Sequence, residues 1–245
     1  MQRLRFSRRQ ILGVMRSIAA VSLVGCVGRK VEGDAIAQTA APTTSQTISQ
    51  TPGCVVRPQQ TEGPYFVDDR LNRSDIRSNP ADGAVKEGVP LRLVFQISQV
   101  GAQACTPLSE AMVDVWHCDA QGVYSDVQDR SFDTGGQQFL RGYQVTTVNG
   151  TAEFLTIYPG WYPGRTPHIH FKIRTAQGEE FTSQLYFDDA VSDRVYAQVP
   201  YSVRQRHPTN AQDGIFRSGG DRLLLTLTED RSGYIGQFEI GLQMA

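Results

Sequence analysis

The chain predicts an all-β fold, a two-sheet β-sandwich with long loops and little helix. Apolar residues alternate with mostly polar ones through the central chain, as at Leu91, Leu93, Phe95 and Ile97. That period of two places them on one face of a strand. Gly, Pro, Asn and Asp separate these runs from one another. The chain after Cys54 is about 190 residues long, enough for one domain with a full core.

The first strand is expected over residues 91–97, and Val113 with Val115 marks the second. Further strands are expected over 142–148, 152–157, 168–174, 181–187, 223–228 and 237–242, with one short helix near 192–198. Asp188-Asp189 reads as a turn or a helix cap. No internal repeat is present, and the pattern fits two packed sheets.

Residues 1–25 stand apart from this pattern and are expected to be an export signal. Ser7-Arg8-Arg9-Gln10-Ile11-Leu12 resembles a twin-arginine motif. A mostly apolar stretch, too short to span a membrane well, then leads to Leu23-Val24-Gly25-Cys26, which resembles a lipobox. Cleavage before Cys26 would leave a lipid-anchored protein at the periplasmic or cell-surface side. The alternative is a soluble secreted protein cut near Ala35-Ile36-Ala37. Residues 26–53, rich in Ala, Thr, Ser and Gln, read as a flexible tether, and residues 54–245 as the folded domain.

The signal holds five arginines and no acid, so its removal takes the formal charge from −1 to −6. An acidic mature chain argues against nucleic acid or an anionic membrane surface as partner, the lipid anchor aside. Cys54, Cys105 and Cys118 allow three single disulfides in an oxidising compartment. Cys54 with Cys105 is preferred, because both flank strands.

His168-Ile169-His170 is the sharpest local feature. On a strand the two imidazoles share one face and Ile169 takes the other. With tyrosines and an arginine close by, the pair suggests a metal centre. His117-Cys118 has no Cys-x-x-Cys or spaced His partner and reads as structural strand, and His207 reads as loop.

Three segments, in order, give the chain a family resemblance. They are TEGPYFVDD from Thr61, VDVWHCDAQGVYSD from Val113, and the stretch from FLRGYQVT at Phe139 through FLTIYPGWYPGRTPHIHFKI to TSQLYF ending at Phe187. Together they resemble the intradiol ring-cleavage dioxygenases, which use non-haem Fe(III) to open catechols between their hydroxyls. The likeness is nearest to exported single-domain members, since no helical stretch precedes the sheet region. It implies one Fe(III) per chain, held by Tyr124, Tyr162, His168 and His170. It also implies that Arg165 stabilises developing charge and that Gln184 orients the substrate or the iron-bound oxygen.

In the implied reaction a catechol chelates the iron and Tyr162 leaves it with a proton. Tyr124, His168 and His170 stay on the iron, O2 attacks the ring, and a muconate-type diacid results. The stretch between Tyr162 and His168 is shorter than in the catechol and protocatechuate enzymes, which implies a differently shaped substrate pocket. Phenolate and imidazole suit a hard, highly charged ion better than thiolate-rich sets do. Tyrosine titrates near pH ~10, so it ligates at neutral pH only where a cation displaces its proton.

Taken singly, each residue also has a plain structural reading. Tyr124 fits a strand-end tyrosine, Tyr162 an aromatic packed in a Gly-Pro turn, Arg165 a solvated loop charge, and Gln184 an outward strand position. Two other functions compete. One is an inactive β-sandwich that binds aromatic ligands; the other is a copper or zinc enzyme built on the His pair. Lys86, Arg141 and Arg174 are candidates for holding a substrate carboxylate.

Overall fold

A computed structural model describes residues 54–102, 104–204 and 207–243. The expected export signal, the lipobox at Cys26 and the tether lie outside them. Nine strands and one α-helix are formed among the described residues. They are β1 (Pro90–Val100), β2 (Cys105–Pro107), β3 (Met112–Trp116), β4 (Arg141–Val145), β5 (Thr151–Ile157), β6 (His168–Arg174), β7 (Glu180–Tyr186), α1 (Asp189–Tyr196), β8 (Thr226–Asp230) and β9 (Gly233–Leu242).

Two sheets result, as the alternation requires. In the first, β1 pairs with β9 in parallel along one edge, while β5 and β2 pair antiparallel with successive parts of its other edge. Strand β8 closes that sheet beyond β9. The second sheet is fully antiparallel, in the order β4-β3-β6-β7. Leu91, Leu93, Phe95 and Ile97 from β1 are fully buried and share one core with Val113, Ile169, Phe171, Ile173 and Leu185 from the other sheet. Phe95 sits at its centre, with ring contacts to Phe154, Phe171 and Phe238 at 5.4–6.1 Å.

Several boundaries differ from the sequence expectation, each for a local reason. The strand expected over 142–148 stops at Val145, because Thr147 to Gly150 form a turn in which Gly150 N–H donates to the Thr147 carbonyl. The strand expected over 223–228 is split. Gly220–Leu223 is a 3-10 turn, Leu224 makes an isolated bridge to Tyr186, and β8 starts only at Thr226. The helix begins at Asp189 rather than 192, because the Asp188 carboxylate caps it by accepting from the N–H groups of Ala190 and Val191. Strand β2, three residues long, was too short to show a period. His117 and Cys118 lie just beyond the end of β3 and are buried there.

The Cys54–Cys105 disulfide is formed and Cys118 is a buried free thiol. No helix among the described residues is long and apolar enough to cross a membrane.

Candidate metal centre

Strand β6 sends Ile169, Phe171 and Ile173 into the core, so His168 and His170 face away from it. Across the sheet, His170 pairs with Trp116 on β3 and Gln184 on β7, and His168 pairs with Tyr186. Both imidazoles are nevertheless buried, because loops cover this outer face. The segment around residues 58–63 crosses it, with Gln60 N–H donating to the Thr182 carbonyl at 3.1 Å. Gly63 is needed in this cover: its φ is +72°, and a Cβ there would press on His170 Cε1 at 3.1 Å.

Two further loops deliver the tyrosines. The first leaves β3 and is tied by the Asp119 carboxylate, which accepts from the N–H groups of Gln121 and Val123. It ends at Tyr124, whose carbonyl accepts from the Thr134 hydroxyl at 2.7 Å. The second leaves β5 and carries Tyr162 in a turn closed by Arg165 N–H donating to the Tyr162 carbonyl at 3.1 Å. From β6 and these loops, four donor atoms converge. His168 Nε2 lies 3.4 Å from Tyr124 Oη, 3.3 Å from Tyr162 Oη and 3.2 Å from His170 Nε2.

The tautomer of His168 is set by its other nitrogen. Nδ1 lies 2.7 Å from the Thr166 carbonyl, which can only accept. Nδ1 therefore carries the proton, and the bare lone pair of Nε2 faces the other three donors. His170 has no such partner at Nδ1 among the described residues. It is held by packing instead, with Trp116 stacked on its ring at 5.1 Å and an interplanar angle of 6°. Tyr65 stacks on Tyr124 at 4.4 Å, and its hydroxyl donates to Asp129 at 2.9 Å.

Arg165 and Gln184 are both brought to this cluster. Arg165 Nη1 donates to Tyr162 Oη at 3.1 Å, Nε donates to Asp213 Oδ2 at 2.8 Å, and Nη2 donates to Gln184 Oε1. Gln184 is fully buried, not outward on a wet strand, and its amide also donates to the Thr61 carbonyl at 2.8 Å. The three candidate carboxylate cations are engaged elsewhere by the chain's own groups. Lys86 pairs with Asp119 at 2.9 Å, Arg174 pairs with Asp114 at 2.7 Å and with Asp68 at 3.1 Å, and Arg141 Nε donates to Ser125 Oγ at 2.8 Å.

Burial dominates the electrostatics. It pushes Tyr124 well above the usual phenol range and raises Tyr162, although Arg165 opposes the rise. It lowers His168 to about 3 and His170 well below its ordinary value, with Arg165 adding to both. Burial also pulls Arg165 down, but Tyr162 and Asp213 outweigh it and leave the guanidinium raised. With no cation bound, the four donors are thus neutral, beside one internal Arg165–Asp213 ion pair.

This donor set fits a metal ion. Metal–donor bonds of ~2.0–2.1 Å put donors on a tetrahedral edge ~3.3 Å apart, the spacing seen around His168 Nε2. No group of three or more His, Cys, Asp or Glu gathers among the described residues, so phenol oxygens must supply half of this set. Two phenols and two imidazoles are hard to borderline donors and suit a trivalent ion such as Fe(III).

Asp213 and Trp116 were not singled out in the sequence, although each contacts a site residue. Asp213 meets Arg165 across 48 positions, and no local pattern announces that. Trp116 carried a usable signal, since it ends the Val113–Val115 alternation immediately before His117.

Comparison with known proteins gives a consistent result. The family model described as Dioxygenase matches residues 61–212. The protocatechuate 3,4-dioxygenase beta chain of Burkholderia cepacia is 31% identical over 170 residues, covering 65% of this chain and 68% of that one. A chlorocatechol 1,2-dioxygenase of Pseudomonas putida is 29% identical over 99 residues, 33% of this chain and 36% of that one. Among solved structures, an intradiol ring-cleavage dioxygenase from Tetranychus urticae superposes with a TM-score of 0.66 at 30% identity, covering 78% of this chain and 94% of that one.

Proposed function

The chain belongs to the intradiol ring-cleavage dioxygenases, a family of oxidoreductases, and we propose that it opens catechol-type diols between their two hydroxyls. In this reading Tyr124, Tyr162, His168 and His170 hold one Fe(III). The observation that carries it is the convergence of three donors within 3.2–3.4 Å of His168 Nε2, whose lone pair is aimed inward by the Thr166 carbonyl.

A ferric ion bound there supplies Lewis acidity toward both diol hydroxyls and makes the ring reactive toward O2. The chain's own groups do the rest. Tyr162 Oη would accept one of the two diol protons, and solvent base the other. Arg165 Nη1, 3.1 Å away, holds the phenol oxygen through this exchange and offers fixed positive charge where negative charge develops. Asp213 and Gln184 fix the guanidinium, so it does not reorganise during the reaction. Trp116 and Tyr65 cover the ligands with aromatic surface and limit water. Both atoms of O2 end in the diacid, so the balance needs no external reductant.

An inactive aromatic-binding module is the weaker account, because such a binder has no use for four converging donors with Arg165 beside them. The test is turnover under 18O2 with catechol, protocatechuate and hydroxyquinol in turn. A ring-opened diacid carrying two labelled oxygens is expected from at least one. Absence of any diacid from the iron-loaded protein contradicts the reading.

The protein is further proposed to be exported, with residues 1–25 as signal, 26–53 as tether and 54–245 as the enzyme domain. It would be lipid-anchored at Cys26, or else released as a soluble secreted form. Support comes from the twin-arginine-like run, the lipobox-like Leu23-Val24-Gly25-Cys26 and a disulfide suited to an oxidising compartment. Recovery of the protein only from the cytosol contradicts export.

A further inference from the structure

The two loops that bring Tyr124 and Tyr162 to the site touch each other backbone to backbone. Gly160 N–H donates to the Asp119 carbonyl at 3.2 Å. Gly122, at φ +81°, lies so close to the Trp161 carbonyl that any Cβ there would collide with it, and one on Gly160 would collide with the Asp119 carbonyl. Pro159 and Pro163 keep the second loop out of either sheet, so its carbonyls need partners from elsewhere. They find them on one segment, the end of α1 and the 3-10 turn Tyr201–Val203 that follows. Tyr201 donates to the Tyr158 carbonyl at 2.7 Å, Tyr196 to the Pro159 carbonyl at 2.8 Å, and Arg204 to the Trp161 carbonyl.

Arg204 differs from the two tyrosines in reaching both loops. Its Nη1 also donates to the Gln121 carbonyl at 2.6 Å, and its guanidinium lies 4.2 Å over the Trp161 ring. Gln121 adds a return link, its amide donating to the Pro200 carbonyl at 2.9 Å. The carbonyls Arg204 joins are three residues before Tyr124 and one before Tyr162.

We propose that Arg204 is a positioning residue for the metal centre, clamping together the two loops that carry its phenol ligands and so fixing the separation of Tyr124 and Tyr162. The proposal rests on the reading of those tyrosines as ligands. It follows that any motion of Tyr162 is confined to its side chain, since the backbone beside it is held. A planar guanidinium can serve two carbonyls and an aromatic face at once, which a lysine ammonium does only in part.

The experiment compares wild type with Arg204→Met, Arg204→Lys and Gly122→Ala. Two quantities are read: the phenolate-to-iron absorption band per bound iron, and iron affinity by competition with a chelator. Arg204→Met is expected to weaken iron binding about 10–100-fold, the usual effect of removing outer support from a metal ligand, and to lower the band. Arg204→Lys is expected to restore part of both. Gly122→Ala drives a Cβ into both the Trp161 carbonyl and Arg204 Nη1, opening the same junction with the guanidinium still present, and is expected to act like Arg204→Met; it decides the matter if Arg204→Met does not fold. Folded variants with wild-type band and affinity overturn the clamp, even if their melting temperature falls. A wild-type protein with no band at all overturns instead the metal-centre reading beneath it.

Discussion

Tyr124 and Tyr162 hold their protons well past neutrality, because burial raises both, while His168 and His170 are neutral at neutral pH because burial lowers both. Binding a metal must therefore displace two phenol protons and none from the imidazoles. Between pH 6 and 8, metal uptake is expected to release about two protons, with apparent affinity rising up to about 100-fold per pH unit. Calorimetry in buffers of different ionisation enthalpy counts them; release of none contradicts phenolate ligation. The four residues that converge were singled out in the sequence, His168 and His170 by their i, i+2 spacing and Tyr124 and Tyr162 only through the family resemblance. Most of what orients them was not legible: the Thr166 carbonyl and Asp213 act through contacts that only the folded chain creates.

Strand β6 is the element on which the site depends, since one face builds the core and the other presents the histidines. Its bounds were read from alternation alone and hold to the residue, because seven residues of strict period two leave no competing register. Alternation failed where chain and sheet part company. The leucine run at 223–225 shows an apolar pattern, yet Leu223 ends a 3-10 turn and Leu224 bridges β7, so only Thr226 onward joins β9. The disulfide belongs to this scale, tying Cys54 to Cys105 at the start of β2 across 51 positions. Closing a loop of that length stabilises by about 4 kcal/mol on the chain-entropy account. Cys105→Ser is expected to lower unfolding free energy by an amount of that order in denaturant titration, with iron content unchanged. Iron loss in the folded variant would mean that the disulfide supports the site directly.

At the scale of the whole molecule, a buried neutral histidine couples stability to pH. His117 Nδ1 donates to the Cys118 carbonyl at 2.8 Å, and its Nε2 accepts from the Thr156 hydroxyl at 2.7 Å. Burial lowers it from 6.5 to about 4. The unfolded chain then binds this proton more readily, so stability is full above pH ~6.5, falls as pH drops toward ~4, and levels off below. The loss attributable to His117 is on the order of 3 kcal/mol. His117→Gln, compared with wild type in the same metal state, is expected to flatten denaturant midpoints across that window; parallel curves would contradict it.

The two-sheet sandwich itself was legible because two thirds of its strands show the alternation that one buried face imposes. Its loops were not, though they carry both tyrosines to strand β6. The central claim, that loops and strand together form a ferric centre, is tested most directly by the visible spectrum of the iron-loaded protein under anaerobic conditions, before and after catechol. A broad phenolate-to-Fe(III) band that moves to longer wavelength with catechol and decays when air is admitted is the expected result. A colourless protein that takes up no iron would contradict it.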